Sequence, residues 1–358
     1  MNIVKIQEII PDTGNKILTA TLAAADECVA LMDSGEVVRY KGSGPGEHLF
    51  STKSSLGYQD GGFDMTAPST IYTLDNIVVI VNDYKRHGYI HYPGKYAAIH
   101  LWREDYYAEI SRYAIALYKD AQGIPHIIYA VAWNHVQIMN LDTLQVLTAA
   151  KSLITVDAEE RHIAFYENYK EPNRLPWPSA YDYFFGGLLM SPDRTHFLSA
   201  GWRWGSSDSY SIYEIDHFIH HHRISEKNVS HWEHNNRAVC WIDATTVAVT
   251  FHPVKDDDEG AIPDAPCEVY FYQVGGATPE LERKIKIPDV DILTGEMHYI
   301  PALQAILFFG AASGVTLFSL EGAVLLRDAA LQADAYYPDS HLLLKVIDGK
   351  IIVFQLQL

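Results

Sequence analysis

One short pattern recurs along this chain and limits what it can fold into. An apolar run is followed by a tight turn on Asp or Pro, then a second apolar run, a polar tip and a third run. The copies include LLMSPDRTHFLSAG around Asp193, CWIDATTVAVTF around Asp243 and YYPDSHLLLKVI around Asp339. Asp26, Asp75 and Asp120 mark three more turns and Pro301 the seventh. Successive marks lie about 40–60 residues apart, except for the longer separation between Asp120 and Asp193. Runs rich in Val, Ile, Tyr and Trp suit a pleated, half-buried strand. Asp and Pro suit the turns, because Asp bonds its own backbone and Pro presets φ. Most gaps are too short for the helical crossovers of a parallel sheet.

A repeat of about 40–50 residues with four strands per copy is the pattern of a propeller blade. Seven copies predict an all-β, seven-bladed β-propeller of four-stranded antiparallel blades, with residues 1–358 as a single domain. After Asp339 only HLLLKVI and KIIVFQLQL remain, whereas NIVKIQEII precedes the first copy. Pairing of this N-terminal strand with the C-terminal blade would close the fold and cover an open sheet edge. Segment 104–121 places Ile110, Ala114 and Leu117 at helical spacing, but the repeat needs strands there, and strands are expected. Segment 157–170 opens on Asp157 with Glu160 three residues on, a capping pattern, so a helical or loop insertion is expected near 157–183.

Ser191-Pro192-Asp193 occupies the expected turn between two inner strands. Tyr213-Glu214-Ile215-Asp216, Asn140-Leu141-Asp142 and Leu101-Trp102-Arg103 occupy expected ends of third strands. At these positions the copies resemble degenerate WD-repeat blades, over nearly the whole chain. The Gly-His opening and Trp-Asp ending of that family are absent, which points to a bacterial WD-repeat-like propeller. The resemblance implies a binding platform and no particular activity.

The formal net charge of −18 repels phosphate backbones, and no Lys/Arg run offsets it, so nucleic acid is excluded as a partner. A protein partner is expected, and the charge favours a basic one. Cys28, Cys240 and Cys267 are too few and too widely spaced for a disulfide framework or zinc knuckle. No apolar run reaches the ~18 residues of a membrane span. The N-terminus lacks a signal-peptide pattern, and a cytoplasmic protein is expected. No nucleophile elbow, Walker loop, dinucleotide fingerprint or HExxH motif is present, and no cofactor is expected. Gly42-Ser43-Gly44-Pro45-Gly46 lacks the following helix that a phosphate cradle needs.

Strand direction alternates within a blade, so second-to-third turns and interblade crossings emerge on one face. That face collects the long connections 82–95, 202–209, 252–266, 52–67 and 157–183. Loops held by a rigid scaffold are where binding residues concentrate. The candidate binding residues there are Tyr84, Lys85 and Arg86 on one loop, Trp133 and His135 at a tight tip, Trp177 and Tyr183 on the long crossing, and Trp202, Arg203 and Trp204 on another loop. Trp, Tyr and Arg dominate protein-binding hot spots. The histidines His217, His220, His221 and His222, followed by His231 and His234, invite a metal reading, but the run is expected on a solvent-exposed outer strand, where neighbours point to opposite faces, and a polar blade edge is expected instead. Asp256, Asp257, Asp258 and Glu259 lack the spacing of a calcium loop. The function expected is a non-enzymatic interaction scaffold, in one version a toxin-neutralising, immunity-type protein. The alternative is a hydrolase or lyase at the channel mouth, with Asp208, His135, His252 and Glu259 as candidate acids and bases.

Overall fold

The computed structural model describes residues 1–358 apart from 12–13, 43, 54–57, 59, 150–159, 161–162, 165–166, 168–182, 205–206, 222–225, 233–235, 253–265, 289 and 312. The chain is an all-β, seven-bladed β-propeller of antiparallel sheets. Strand β1 (Asn2–Ile9) comes first. Blade 1 is β2 (Ile17–Ala24), β3 (Glu27–Met32), β4 (Glu36–Lys41) and β5 (Glu47–Ser51); blade 2 is β6 (Ser69–Leu74), β7 (Ile77–Asn82), β8 (His87–Tyr92) and β9 (Tyr96–Trp102). Blade 3 holds β10 (Ile115–Lys119), β11 (Pro125–Ala132) and β12 (His135–Asn140). Its fourth position is taken by a short irregular segment, where Val146 bridges Met139 and the Leu147 N–H donates to the Ile138 carbonyl at 2.8 Å. Blade 4 is β13 (Tyr183–Met190), β14 (His196–Arg203), β15 (Ser207–Glu214) and β16 (Glu226–Trp232). Blade 5 is β17 (Val239–Trp241), β18 (Thr246–Phe251), β19 (Cys267–Gln273) and β20 (Glu280–Ile287). Blade 6 is β21 (Glu296–Ile300), β22 (Ala305–Gly310), β23 (Gly314–Ser319) and β24 (Val324–Asp328). Blade 7 is β25 (Ala335–Tyr337), β26 (Leu342–Ile347) and β27 (Lys350–Gln357), and β1 completes it.

All seven predicted turns sit at inner hairpins, and at four of them the reason is visible. The Asp193 carboxylate accepts from the Ser191 hydroxyl at 2.6 Å and from the Thr195 N–H at 3.2 Å. Asp243 accepts from the Thr245 N–H at 2.7 Å, and Asp120 from the N–H groups of Gln122 and Ile124 at 2.9 Å. At Pro301 a single 3₁₀ turn ends on Gln304 in the left-handed region, φ 49°.

The chain divides into two compact units: Met1–Val81, Gly88–His100 and Asn236–Leu358 form unit 1, and Asn82–His87 with Leu101–Asn235 form unit 2. Unit 1 contains the expected clasp, with β1 antiparallel to β27 from Asn2↔Gln357 to Ile9↔Ile351 and one irregularity between Lys5 and Gln7. Inner strands there read as continuous apolar runs; every residue of β7 is buried, IVVIVN. Such runs mark strands covered on both faces. Cys240, Val269 and Phe271 of blade 5, for example, share one core with Ile306, Phe308 and Phe318 of blade 6. Outer strands are wet by contrast, and β20 buries only Ile285 and Ile287.

Several local expectations are corrected. The segment 82–95 is not one long loop, because β8 occupies His87–Tyr92 and leaves Asp83–Arg86 as a tight tip. Likewise 202–209 is not one long loop, since Trp202 and Arg203 end β14 and Ser207 opens β15. Leu101 and Trp102 end a fourth strand rather than a third. Only Ile115–Lys119 of the segment 104–121 is strand, and 103–114 is an interblade crossing built from turns. His217 and His220 are not on an outer strand: Ile215–His220 is a short helix that buries Ile215 and Phe218, three residues apart, with His221 at its C-terminal cap, and His222 lies outside the described residues. The expected insertion lies largely outside the described residues; of it, Glu160, Ile163, Ala164 and Glu167 are helical.

Candidate aromatic binding site

Unit 2 gathers six aromatic rings from three short stretches: Tyr106 and Tyr107 on the crossing into blade 3, Trp133 at the β11–β12 tip, and Phe184, Trp202 and Trp204 at one end of blade 4. Phe184 and Trp202 are cross-strand partners on β13 and β14, so the ladder puts their rings on one face. They stack with centroids 3.8 Å apart and 11° between planes. Trp133 lies 4.4 Å from Phe184. Trp204 stands edge-on to Phe184 at 5.3 Å and to Tyr107 at 4.9 Å, and Tyr106 meets Tyr107 edge-to-face at 4.8 Å. These are the offset and T-shaped arrangements that ring quadrupoles favour. Phe184 is fully buried, whereas Tyr106 and Trp204 remain 49% and 45% exposed. The cluster is therefore anchored at its base and open at its top.

The backbone beneath the rings is specialised. Register breaks between Phe184 and Gly187, and the Phe185 N–H donates across to the Trp133 carbonyl at 2.9 Å, joining blade 4 to the blade 3 tip. Gly201 is required there, since a Cβ would overlap the Phe184 carbonyl oxygen and the Tyr183 hydroxyl. Tyr107 holds φ at 51°, a conformation costly for an aromatic residue.

Arg103 keeps this crossing in place. It is 2% exposed, and its guanidinium donates to the carbonyls of Lys85 at 2.8 Å, Ala108 at 3.0 Å and Ser111 at 2.7 Å. It also lies 4.6 Å over the Tyr113 ring. Burial pushes its pKa down to about 10, still well above neutrality, so it remains a cation. The main chain adds bonds from the Arg103 N–H to the Arg86 carbonyl, from Glu104 N–H to Val131 and from Tyr113 N–H to Asp83, at 3.1, 2.9 and 2.7 Å. Ser111, fixed in this way, accepts the indole N–H of Trp202 at 2.9 Å.

The candidate residues separate by position. Trp133, Trp202 and Trp204 are in the cluster. Tyr84, Lys85 and Arg86 are on the tip that Arg103 holds, with the Arg86 guanidinium 4.8 Å over the exposed Trp102 ring. Tyr183 is fully buried, and its hydroxyl reaches the carbonyls of Ser199 and Ser209 at 3.0 Å, which makes it a support. Arg203 pairs with Glu226 at 3.1 Å, and Glu226 also accepts from the Ser211 hydroxyl. His135 opens β12, its ring 2.7 Å from the Gln137 amide nitrogen. Trp177 lies outside the described residues, as does Glu259. Asp208 is buried opposite Trp202, with the Tyr210 hydroxyl 3.4 Å from its carboxylate. Among the described residues no group of three or more His, Cys, Asp or Glu is arranged to hold a metal ion, and no helix is long and apolar enough to cross a membrane. Sequence reasoning missed Tyr106, Tyr107, Phe184 and Arg103. The available signal was REDYY, which places a charged triplet and two aromatic residues where a strand was expected.

No protein-family model matches this chain, and no curated protein matches it.

Proposed function

We propose that this chain is a non-enzymatic protein-interaction scaffold that engages a partner through the aromatic rim of unit 2. The observation that carries this reading is the six-ring cluster, buried at Phe184 and about half exposed at Tyr106 and Trp204, resting on a crossing held by buried Arg103. Rigid aromatic anchors ordered before binding lose little entropy on association, which is how a small surface becomes a hot spot. The resemblance to WD-repeat blades, in a bacterial variant, supports a platform role. A toxin-neutralising, immunity-type version draws its support from the net charge of −18, which would steer a basic catalytic protein towards this one. The hydrolase or lyase alternative needs convergent acids and bases, and the engaged positions of buried Asp208 and of His135 give it less support.

The test is affinity capture from cells with the wild type and with Tyr106→Ala/Trp204→Ala, monitored for folding by circular dichroism. A stoichiometric protein recovered by the wild type and lost from the double variant is expected. A partner retained undiminished by the double variant would remove the rim from the mechanism.

A further inference from the structure

The 102–110 stretch carries an exposed pattern that its packing does not require. Trp102, Tyr106 and Ile110 are exposed apolar residues, and Glu104, Asp105 and Glu109 between them are exposed carboxylates. Arg103 and Ala108, which belong to the same stretch, are buried and hold it down. Among the described residues Asp105 lies 3.9 Å from Arg86, and neither Glu104 nor Glu109 enters an ion pair. Half-exposed rings therefore adjoin exposed carboxylates that no ion pair among the described residues neutralises.

A guanidinium answers both features. It stacks flat on aromatic faces, is weakly hydrated and forks onto carboxylates, whereas an ammonium supplies only a point charge. The protein already contains one such arrangement: the Arg86 guanidinium lies 4.8 Å over Trp102 while its Nε is 3.9 Å from Asp105. Tyr106, two residues from Glu104 and three from Glu109 in sequence, and Trp204, whose ring is 6.3 Å from that of Tyr106, offer the same combination of ring and carboxylate with no arginine among the described residues placed on it.

We propose that the rim recognises arginine side chains on a basic, extended segment of a protein partner, repeating intermolecularly the Arg86–Trp102–Asp105 arrangement. This rests on the interaction-scaffold reading. The net charge of −18 favours such a segment over an acidic one from a distance, and the rim selects guanidinium at contact.

The experiment titrates the full chain with N-acetylated, C-amidated tri-arginine, tri-lysine and tri-glutamate peptides, read by tryptophan fluorescence at low and physiological salt. Tri-arginine is expected to bind most tightly, tri-lysine more weakly and tri-glutamate not at all. Tyr106→Ala and Trp204→Ala should each weaken tri-arginine about three- to fivefold. Glu104→Gln/Glu109→Gln, at exposed positions outside the packed rings, should also weaken it and flatten the salt dependence, which keeps the test valid if a ring variant unfolds. Equal binding of tri-arginine and tri-lysine, or indifference to the Gln pair, would overturn the proposal. A cellular partner captured through Tyr106 and Trp204 yet unaffected by the Gln pair would overturn arginine recognition and leave the scaffold reading standing. Tri-arginine binding without any rim-dependent partner would do the reverse.

Discussion

Blade 6 and the aromatic rim of unit 2 are both rich in large rings, and they use them in opposite ways. In blade 6, Phe308 and Phe318 are fully buried and Phe309 nearly so, and every residue of β22 and β23 except the last of each is buried. In the rim, Phe184 is equally buried, but Tyr106 and Trp204 stay about half in water. The supports differ accordingly. Blade 6 is held by packing among side chains of its neighbours in unit 1. The rim is held by directional bonds from Arg103 to three carbonyls at 3.0 Å or less, a left-handed Tyr107 and a glycine that lets two strands approach. Burial alone positions rings that are to be hidden. Rings that are to be left open need a polar scaffold, because the hydrophobic effect would otherwise fold them inward.

The sharpest separation comes from Phe308→Ala, which should cost about 3–5 kcal/mol in urea unfolding as a full-size core deletion while leaving rim-dependent partner capture intact once folded. Arg103→Met should cost less, about 2–3 kcal/mol, by stranding buried carbonyls, and should reduce partner capture, because the Tyr106–Tyr107 crossing loses its anchor. An Arg103→Met variant with undiminished capture would remove the distinction between the two regions. Gly201→Ala should cost about 1–3 kcal/mol by overpacking against Phe184 and Tyr183, and should alter the tryptophan fluorescence of the rim.

Two smaller effects refine the comparison. Asp193 is exposed, and although slight desolvation raises its carboxyl pKa, hydrogen bonds from Ser191 and Thr195 hold it below the usual carboxylate range. A depressed folded pKa contributes stability above the unfolded value of about 3.9, and that stability disappears as pH falls through the lower folded value. Amide exchange at 191–196 in blade 4 should therefore accelerate on acidification below about pH 4, while the Pro301 turn of blade 6, held without a carboxylate, should not follow. Smallest of all is Tyr113→Phe. The Tyr113 hydroxyl is buried without a hydrogen-bond partner among the described residues, so its removal should cost no stability while preserving the ring beneath Arg103. A large loss there would show that the hydroxyl, and not the ring, supports the arginine.

Much of the architecture is legible in short runs of residues. Asp26, Asp75, Asp120, Asp193, Asp243, Pro301 and Asp339 all fall at inner hairpins, because turn chemistry is local, as the carboxylates of Asp120, Asp193 and Asp243 show by accepting backbone N–H groups within a few residues. The clasp is readable for a similar reason: one strand is missing from the last blade and one stands spare at the other end. The rim was readable only in part. Residue type and loop class point to Trp133, Trp202 and Trp204, but the repeat predicts strand at Tyr106 and Tyr107. Spacing could not separate a strand from a turn-built crossing at 103–114, since the bonds that hold the crossing go to carbonyls on another hairpin, at Asp83 and Lys85.

Local chemistry within this sequence determined the repeat, the strand count, the turn positions and the excess of negative charge, because each depends on residues a few positions apart or on composition alone. The tertiary structure decided which aromatic residues meet, which stay in water and which arginine is buried to hold them. Those outcomes depend on contacts between segments up to about a hundred residues apart in sequence, as with Ser111 and the indole of Trp202, where register and approach distance carry the information and residue type does not.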